Sequence, residues 1–327
     1  MDKVGIVLIA TTLLTCLLFL TSYKSDPSLS NEFYNYTRKY NKSYSSDSEF
    51  AFRFEVYKEN LQNAEVLNEL NPFAEFGETK FSDMTFEEVF KNQVIKNLQS
   101  SASMTYLNEN GLESKNHEIK SLLSSTIDWR NYTNAIEDQG GCGSCWAFAA
   151  TAAFESRRAI RGYPKLNYSE QELVDCVTNS FGCIGGLDSY AYDWLKDFDL
   201  CEEKDYPYVA YKNTCKASIC HTNATDSGTK FIKHTEIDML KELKNGPISI
   251  GVDATSWMAY KGGILTDCGD SITHAATIVG YGEEDGTTYW LVRNSFGADW
   301  GEDGYIRLQY GTNTCNLINR PCFPLFY

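Results

Sequence analysis

Gln139-Gly140-Gly141-Cys142-Gly143-Ser144-Cys145-Trp146 opens an alanine-rich run extending from Gly143 to Arg161. The run predicts a helix with Ser144 at its N-cap. A cysteine in the first helical turn feels the positive end of the macrodipole, which lowers its thiol pKa and favours the nucleophilic thiolate. Two chemistries fit this stretch. Cys145 is a candidate nucleophile, whereas Cys142-x-x-Cys145 has the spacing of a thioredoxin-like redox pair. No βαβ pattern surrounds the motif, and Cys142 has other cysteines to pair with, so the nucleophile reading leads.

A nucleophilic thiol needs a base, and the chain has four histidines. His117 falls in a polar linker, His221 stands between Cys220 and a glycosylation sequon, and His234 lies among charged residues before a predicted helix. His274 alone enters a strand-like apolar run, Ala275 to Gly282, and a base on a strand edge suits a cysteine on a helix end. Asn294 follows the predicted strand Tyr289 to Val292. Its amide oxygen can hold the imidazole without competing for the proton, although a turn asparagine before Gly297 is the bland alternative.

The texture of the chain changes along its length. Glu49, Arg53, Tyr57, Asn60, Ala64 and Asn68 share one face of a predicted helix. The stretch from Lys96 to Glu118 is rich in Ser, Asn and Lys and reads as an exposed linker open to proteolysis. Beyond Leu122 aromatic residues, glycines and cysteines become dense. Past Phe231, short alternating runs predict strands at Ile248–Val252, Ala275–Val279, Tyr289–Val292 and Tyr305–Gln309. A helical half followed by a β half is expected.

At this point the sequence resembles a papain-family cysteine peptidase of the cathepsin L type. The motif around Cys145, with His274 and Asn294 about 130 and 150 residues downstream, carries the resemblance. It implies a two-domain α+β papain-like fold, with the site in a cleft between the helical and β halves. It further implies an endopeptidase acting on proteins and peptides through an acyl-enzyme, with Gln139 as an oxyanion donor. Trp300-Gly301-Glu302-Asp303-Gly304-Tyr305 matches the family segment after the asparagine. The face from Glu49 to Asn68 resembles the inhibitory prosegment motif, with Tyr57 and Ala64 in place of Phe and Ile. Gly77-x-Thr79-x-Phe81-x-Asp83 matches a second prosegment motif. The implied organisation is a signal peptide at 1–22, an inhibitory propeptide at 23–122 and a peptidase domain at 123–327.

The same resemblance implies disulfides Cys142–Cys183, Cys176–Cys215 and Cys268–Cys315, with Cys145 free. Cys201–Cys220 is a further expected pair, leaving Cys322 unassigned. Gly185, Gly186 and Leu187 are expected to meet extended substrate, although Ile184 replaces an asparagine common before them. Phe296 stands where a tryptophan usually shields the Asn–His hydrogen bond. An ungapped count from Cys315 to Phe323-Pro324 puts Arg320 at the floor of the pocket for the second residue before the cut, with Asp188 on its wall. Solvent-facing positions for both are the alternative.

The remaining features bound the setting. Val4 to Leu20 is nearly all apolar and short for a membrane span, so a cleaved signal peptide is expected, with a signal anchor as the rival. Removing that segment takes Cys16 and leaves ten of the eleven cysteines, in a disulfide-permissive compartment. Sequons at Asn35, Asn41, Asn131, Asn167 and Asn223 agree with that route. A net charge of −15 argues against nucleic acid and anionic membrane as partners. The cysteine and histidine spacings form no zinc set, so no metal or cofactor is expected. A monomer in a lysosome, digestive vacuole or the extracellular space is the expected state. Two other readings remain open: a catalytically silent papain-like binding protein, and an exopeptidase. No insertion is large enough to block one end of the cleft, which favours the endopeptidase.

Overall fold

The computed structural model describes residues 27–90, 122–216, 220 and 222–326. The expected signal segment and linker, with Cys16, His117 and His221, lie outside the described residues. The chain divides into two compact units, Met1–Asn60 and Leu61–Tyr327.

The first unit contains helix α1 (Pro27–Lys39) and the first half of helix α2 (Asp47–Leu70). Aromatic rings hold it together. Phe33, Tyr36 and Tyr57 are buried, and the Tyr57 ring lies 5.1 Å from Phe33 and 4.9 Å from Tyr36. Tyr57, read as a departure from the prosegment motif, is the ring on which both others converge.

In the second unit, strand β1 (Ala74–Phe76) and the short helix α3 (Phe86–Phe90) precede β2 (Ile127–Asp128). Three helices form the helical half: α4 (Cys145–Ile160), α5 (Glu170–Cys176) and α6 (Asp188–Trp194). The β half contains β3 (Thr229–Phe231), helix α7 (Glu236–Leu243), β4 (Ile248–Val252), β5 (Tyr260–Leu265), β6 (His274–Glu284), β7 (Thr287–Arg293), β8 (Tyr305–Gln309) and β9 (Cys322–Pro324). The strand order is β1-β5-β8-β7-β6-β4-β9-β3, with β2 also on β6 and only β5–β8 parallel.

Helix α4 is buried from Cys145 to Arg158. Its small alanines let the start of β6 approach the helix backbone, so Thr277 Oγ1 and Ser249 Oγ both donate to the Ala149 carbonyl at 3.1 Å. Arg157, deep in that helix, is satisfied by the carbonyls of Pro247 and Gly246 and by Glu242, as a buried charge requires. One core fills the β half and a second surrounds α4. Disulfides join Cys142–Cys183, Cys176–Cys215, Cys201–Cys220 and Cys268–Cys315, while Cys145 and Cys322 are free and buried.

The helix begins at Cys145, as an N-cap at Ser144 requires. Ser144 occupies the N-cap position but its side chain makes no cap hydrogen bond. Its hydroxyl instead meets the Tyr208 hydroxyl at 2.6 Å. That partner lies far along the chain, beyond the reach of any local capping rule.

Candidate active site

The Cys145 thiol sits at the N-terminus of α4, 1% exposed, within hydrogen-bonding reach of the backbone N–H groups of Trp146 and Ala275. Ala275 follows His274, the first residue of β6, so the thiol and the imidazole are brought to one place by a helix start and a strand start. His274 Nε2 lies 2.7 Å from Asn294 Oδ1. That oxygen only accepts, so Nε2 carries the proton and Nδ1, which has no protein partner, is left as the basic nitrogen. Phe296 packs against the imidazole at 4.9 Å and Trp257 meets it edge-on at 5.8 Å. The smaller shield at position 296 is thus supplemented by a tryptophan from elsewhere in the β half.

Gln139 is held from three directions. Its backbone N–H donates to Ser295 O (2.9 Å), its side-chain oxygen accepts from Ser295 Oγ (2.6 Å), and its Nε2 donates to Cys142 O (3.0 Å). An amide nitrogen has two hydrogens, so one donor remains for a ligand beside Cys145.

Across the cleft, Gly185 adopts φ +126°, and a Cβ on Gly186 would sit 2.5 Å from Ser180 Oγ and 2.7 Å from the Trp146 ring. The backbone passes so close to those side chains that only glycine fits. Leu187 and Asp188 continue into α6, and both are buried. Asp188 hydrogen-bonds the Cys322 thiol and its charge reaches Cys145. Arg320 Nη2 donates to Ser189 Oγ at 3.2 Å, with its guanidinium 6.0 Å from the Phe231 ring. Burial raises the Asp188 carboxyl, and the nearby Arg320 charge offsets part of that rise.

Residues 68–90 cover this site. Asn68 and Phe76 exchange two hydrogen bonds, and β1 adds to the edge of β5. Thr79 Oγ1 donates to Met258 O, and the Phe81 ring meets Phe296 at 5.1 Å. Phe90 is edge-on to His274 at 6.2 Å. Lys80 Nζ bridges two aspartates, Asp138 at 2.7 Å and Asp299 at 2.9 Å. Burial works against its ammonium, but those hydrogen bonds and charges outweigh burial and raise its pKa. The motif Gly77-x-Thr79-x-Phe81-x-Asp83 flagged this segment from sequence, but neither Lys80 nor Phe90 is marked by any local pattern.

Burial dominates the electrostatics of the pair. Burial pushes the Cys145 thiol up to about 12, despite the N–H groups of Ala275 and Trp146 that favour the thiolate. It pushes His274 down to about 4, with the Asn294 hydrogen bond opposing. Both groups are therefore neutral in the covered site.

Residues 123–325 match the papain family cysteine protease domain, and residues 33–89 match the cathepsin propeptide inhibitor domain. The chain is 35% identical to a putative cathepsin L 3 of Paramecium tetraurelia, over 96% of this chain and 97% of that protein. The structure of digestive procathepsin L 3 from Tenebrio molitor larval midgut superposes with a TM-score of 0.75 at 28% identity, covering 93% of this chain and all of that one. A recombinant stem bromelain precursor gives 0.78 at 30% identity, covering 91% and 99%. The chain belongs to the papain family of cysteine proteases, as a cysteine endopeptidase zymogen that carries its propeptide inhibitor domain in the same polypeptide.

Proposed function

We propose that Cys145 is the nucleophile, His274 its acid–base partner, Asn294 the group that orients the imidazole and Gln139 an oxyanion donor, acting on peptide bonds in proteins and peptides. One observation carries this reading: the Cys145 thiol lies against the N–H next to His274, whose Nε2 is tied to Asn294 while Nδ1 stays unpartnered. When residues 68–90 leave, water returns and the cost of charging the pair falls. The helix dipole and two N–H groups then favour the thiolate, and Nδ1 takes the proton. The thiolate attacks the peptide carbonyl, and Gln139 with the Cys145 N–H stabilises the oxyanion. Losing one such donor costs about 10²–10³ in rate. His274 returns its proton to the leaving amine, then takes one from the water that releases the acyl group.

The signal peptide is assigned to residues 1–22, the propeptide to 23–122 and the mature peptidase to 123–327, with a lysosomal, vacuolar or extracellular destination and a monomeric state. No helix among the described residues is long and apolar enough to cross a membrane. The Lys80 bridge to Asp138 and Asp299 ties residues 68–90 to the peptidase domain, and activation requires that tie to be broken. Purified precursor is expected to convert at acidic pH by cleavage within about Lys96 to Ser125, with peptidase activity appearing alongside. Lys80→Met should raise the pH of half-conversion by about 0.5 to 1 unit, since two ion pairs that hold the segment are gone. A precursor that stays full length and inactive at every pH from about 4 to 7 contradicts the activation scheme. An unshifted threshold in Lys80→Met removes the bridge from it.

Asp188, Cys322, Arg320 and Ser189 form a polar corner beside the nucleophile, and we assign it to the pocket for the second residue before the cut. A guanidinium there weakens the preference for apolar side chains. Arg320→Ala should raise kcat/KM for substrates with Leu or Phe at that position by about 3- to 10-fold. Asp188→Ala should instead favour Glu. Peptide-library profiles in which a strong Leu/Phe preference survives both substitutions unchanged would show that neither side chain lines the pocket.

A further inference from the structure

Two segments that carry proposed catalytic groups are laced into one seam. Arg293 donates through Nη1 to Asn134 O (2.7 Å) and through Nη2 to Ala135 O (2.6 Å). The Gly297 N–H donates to Glu137 O and the Gln139 N–H to Ser295 O, both at 2.9 Å, and Asp138 pairs with Phe296 as a β-bridge. Gln139 thus sits on one side of the seam and Asn294 on the other.

Beneath the seam, between α4, the start of β6 and the end of β7, lies a small internal cavity. Its polar lining is Glu137, Glu155, Glu170, Arg293, Asn294 and Ser295. Glu155 and Glu170 are 5% and 2% exposed, and Arg293 is 6% exposed. Glu155 accepts from the Tyr168 N–H at 2.7 Å, and Glu137 accepts from Asn167 Nδ2 at 3.0 Å. Glu170 Oε2 meets no protein donor. The other ionisable groups facing the cluster do not balance it. Glu203 adds a fourth carboxylate, Tyr208 and Tyr168 are neutral phenols, and Arg158 is engaged with Tyr168. The Arg293 charge reaches Glu155 and opposes its rise.

Glu155 and Glu170 are buried near one another and near the half-buried Glu137, with one guanidinium on the cavity wall, and burying like charges together favours the protonated carboxyls. In line with that, burial pushes Glu155 up to about 8, with the Glu137 charge adding to the rise. Burial and the charges of Glu137 and Glu155 raise Glu170 well above the ordinary carboxyl range.

We propose that Glu137, Glu155 and Glu170 are positioning residues that hold Gln139 and Asn294 in register only while the excess carboxylates carry protons. Deprotonation at higher pH sets like charges against one another under the seam. Glu137, the member of the cluster on the seam itself, is then driven outward together with its neighbour Gln139. This rests on the catalytic roles proposed above for Gln139 and Asn294. The sign follows from proton uptake on folding. A carboxyl raised from about 4.5 to about 8 leaves the fold most stable below the lower value, and stability falls as pH rises between the two.

The test uses the activated enzyme and its Glu137→Gln and Glu170→Gln variants, with two readouts: Tm at pH 5 and pH 8, and kcat/KM across pH. The parent is expected to melt lower at pH 8 than at pH 5, and Glu170→Gln to reduce that difference by removing one of the two raised carboxyls. Glu137→Gln should move the alkaline limb of kcat/KM upward by about one pH unit and leave the acid limb in place. Equal pH dependence of Tm in all three proteins overturns the proposal without reference to catalysis. A Tm response with an unmoved alkaline limb overturns the coupling to the seam. Absence of activity in the parent strikes at the catalytic assignment instead, and leaves the Tm arm to judge the cluster. Should Glu170→Gln fail to fold, Glu137→Gln, only half-buried, carries both readouts.

Discussion

Cys145→Ala abolishes peptide hydrolysis by the activated enzyme, with kcat falling on the order of 10⁴-fold or more, the scale expected when a covalent nucleophile is removed. Nothing else at the site replaces the lost chemistry. Cys322, the other free thiol among the described residues, is buried against Asp188; burial and the Asp188 charge raise its pKa far above the usual thiol value. The substitution deletes one sulfur from a closely packed helix start, so the fold is expected to survive with a cost of about 1 kcal/mol or less. Circular dichroism and Tm measured on the same preparation separate loss of chemistry from loss of structure. Activity within tenfold of the parent, in a folded variant, removes Cys145 from the mechanism.

Much of this arrangement was legible in the sequence for local reasons. The strands Ile248–Val252 and Tyr305–Gln309 have the bounds that alternation predicted. The β6 and β7 strands extend beyond their apolar runs because their outer ends pair with each other as an exposed hairpin. His274 was singled out because so few histidines compete for the role and only one enters a strand. Asn294 had only its place after a strand and a neutral acceptor oxygen to mark it, and the role of Gln139 came from the family resemblance.

What escaped the sequence is what depends on distant partners. Glu155 sits in an alanine-rich helix and Glu170 follows an N-cap serine, so both read as ordinary polar helix positions. Their burial beside Glu137 is a consequence of how α4, α5 and the seam come together. Asn167 lies in a sequon, yet its amide already donates to Glu137 and its Oδ1 is buried. In the folded protein that side chain is engaged, unlike the exposed Asn131 and Asn223. Lys80 illustrates the same limit, since nothing in a lysine between two motif positions announces a pair of aspartates far along the chain.

The central claim is that one thiol, neutral while residues 68–90 cover it, becomes the nucleophile when they leave. A thiol pushed well above its ordinary value by burial is overwhelmingly protonated at pH 7, whereas a cysteine paired with an imidazolium is almost wholly thiolate there. Iodoacetamide labelling at pH 7, followed by peptide mapping, reads this directly in the precursor and in the activated enzyme. Activated enzyme is expected to take one label, at Cys145, at least about 10³-fold faster than the precursor, with Cys322 unlabelled in both. Precursor Cys145 reacting within tenfold of the activated rate, or a fast label landing on another cysteine, contradicts the account.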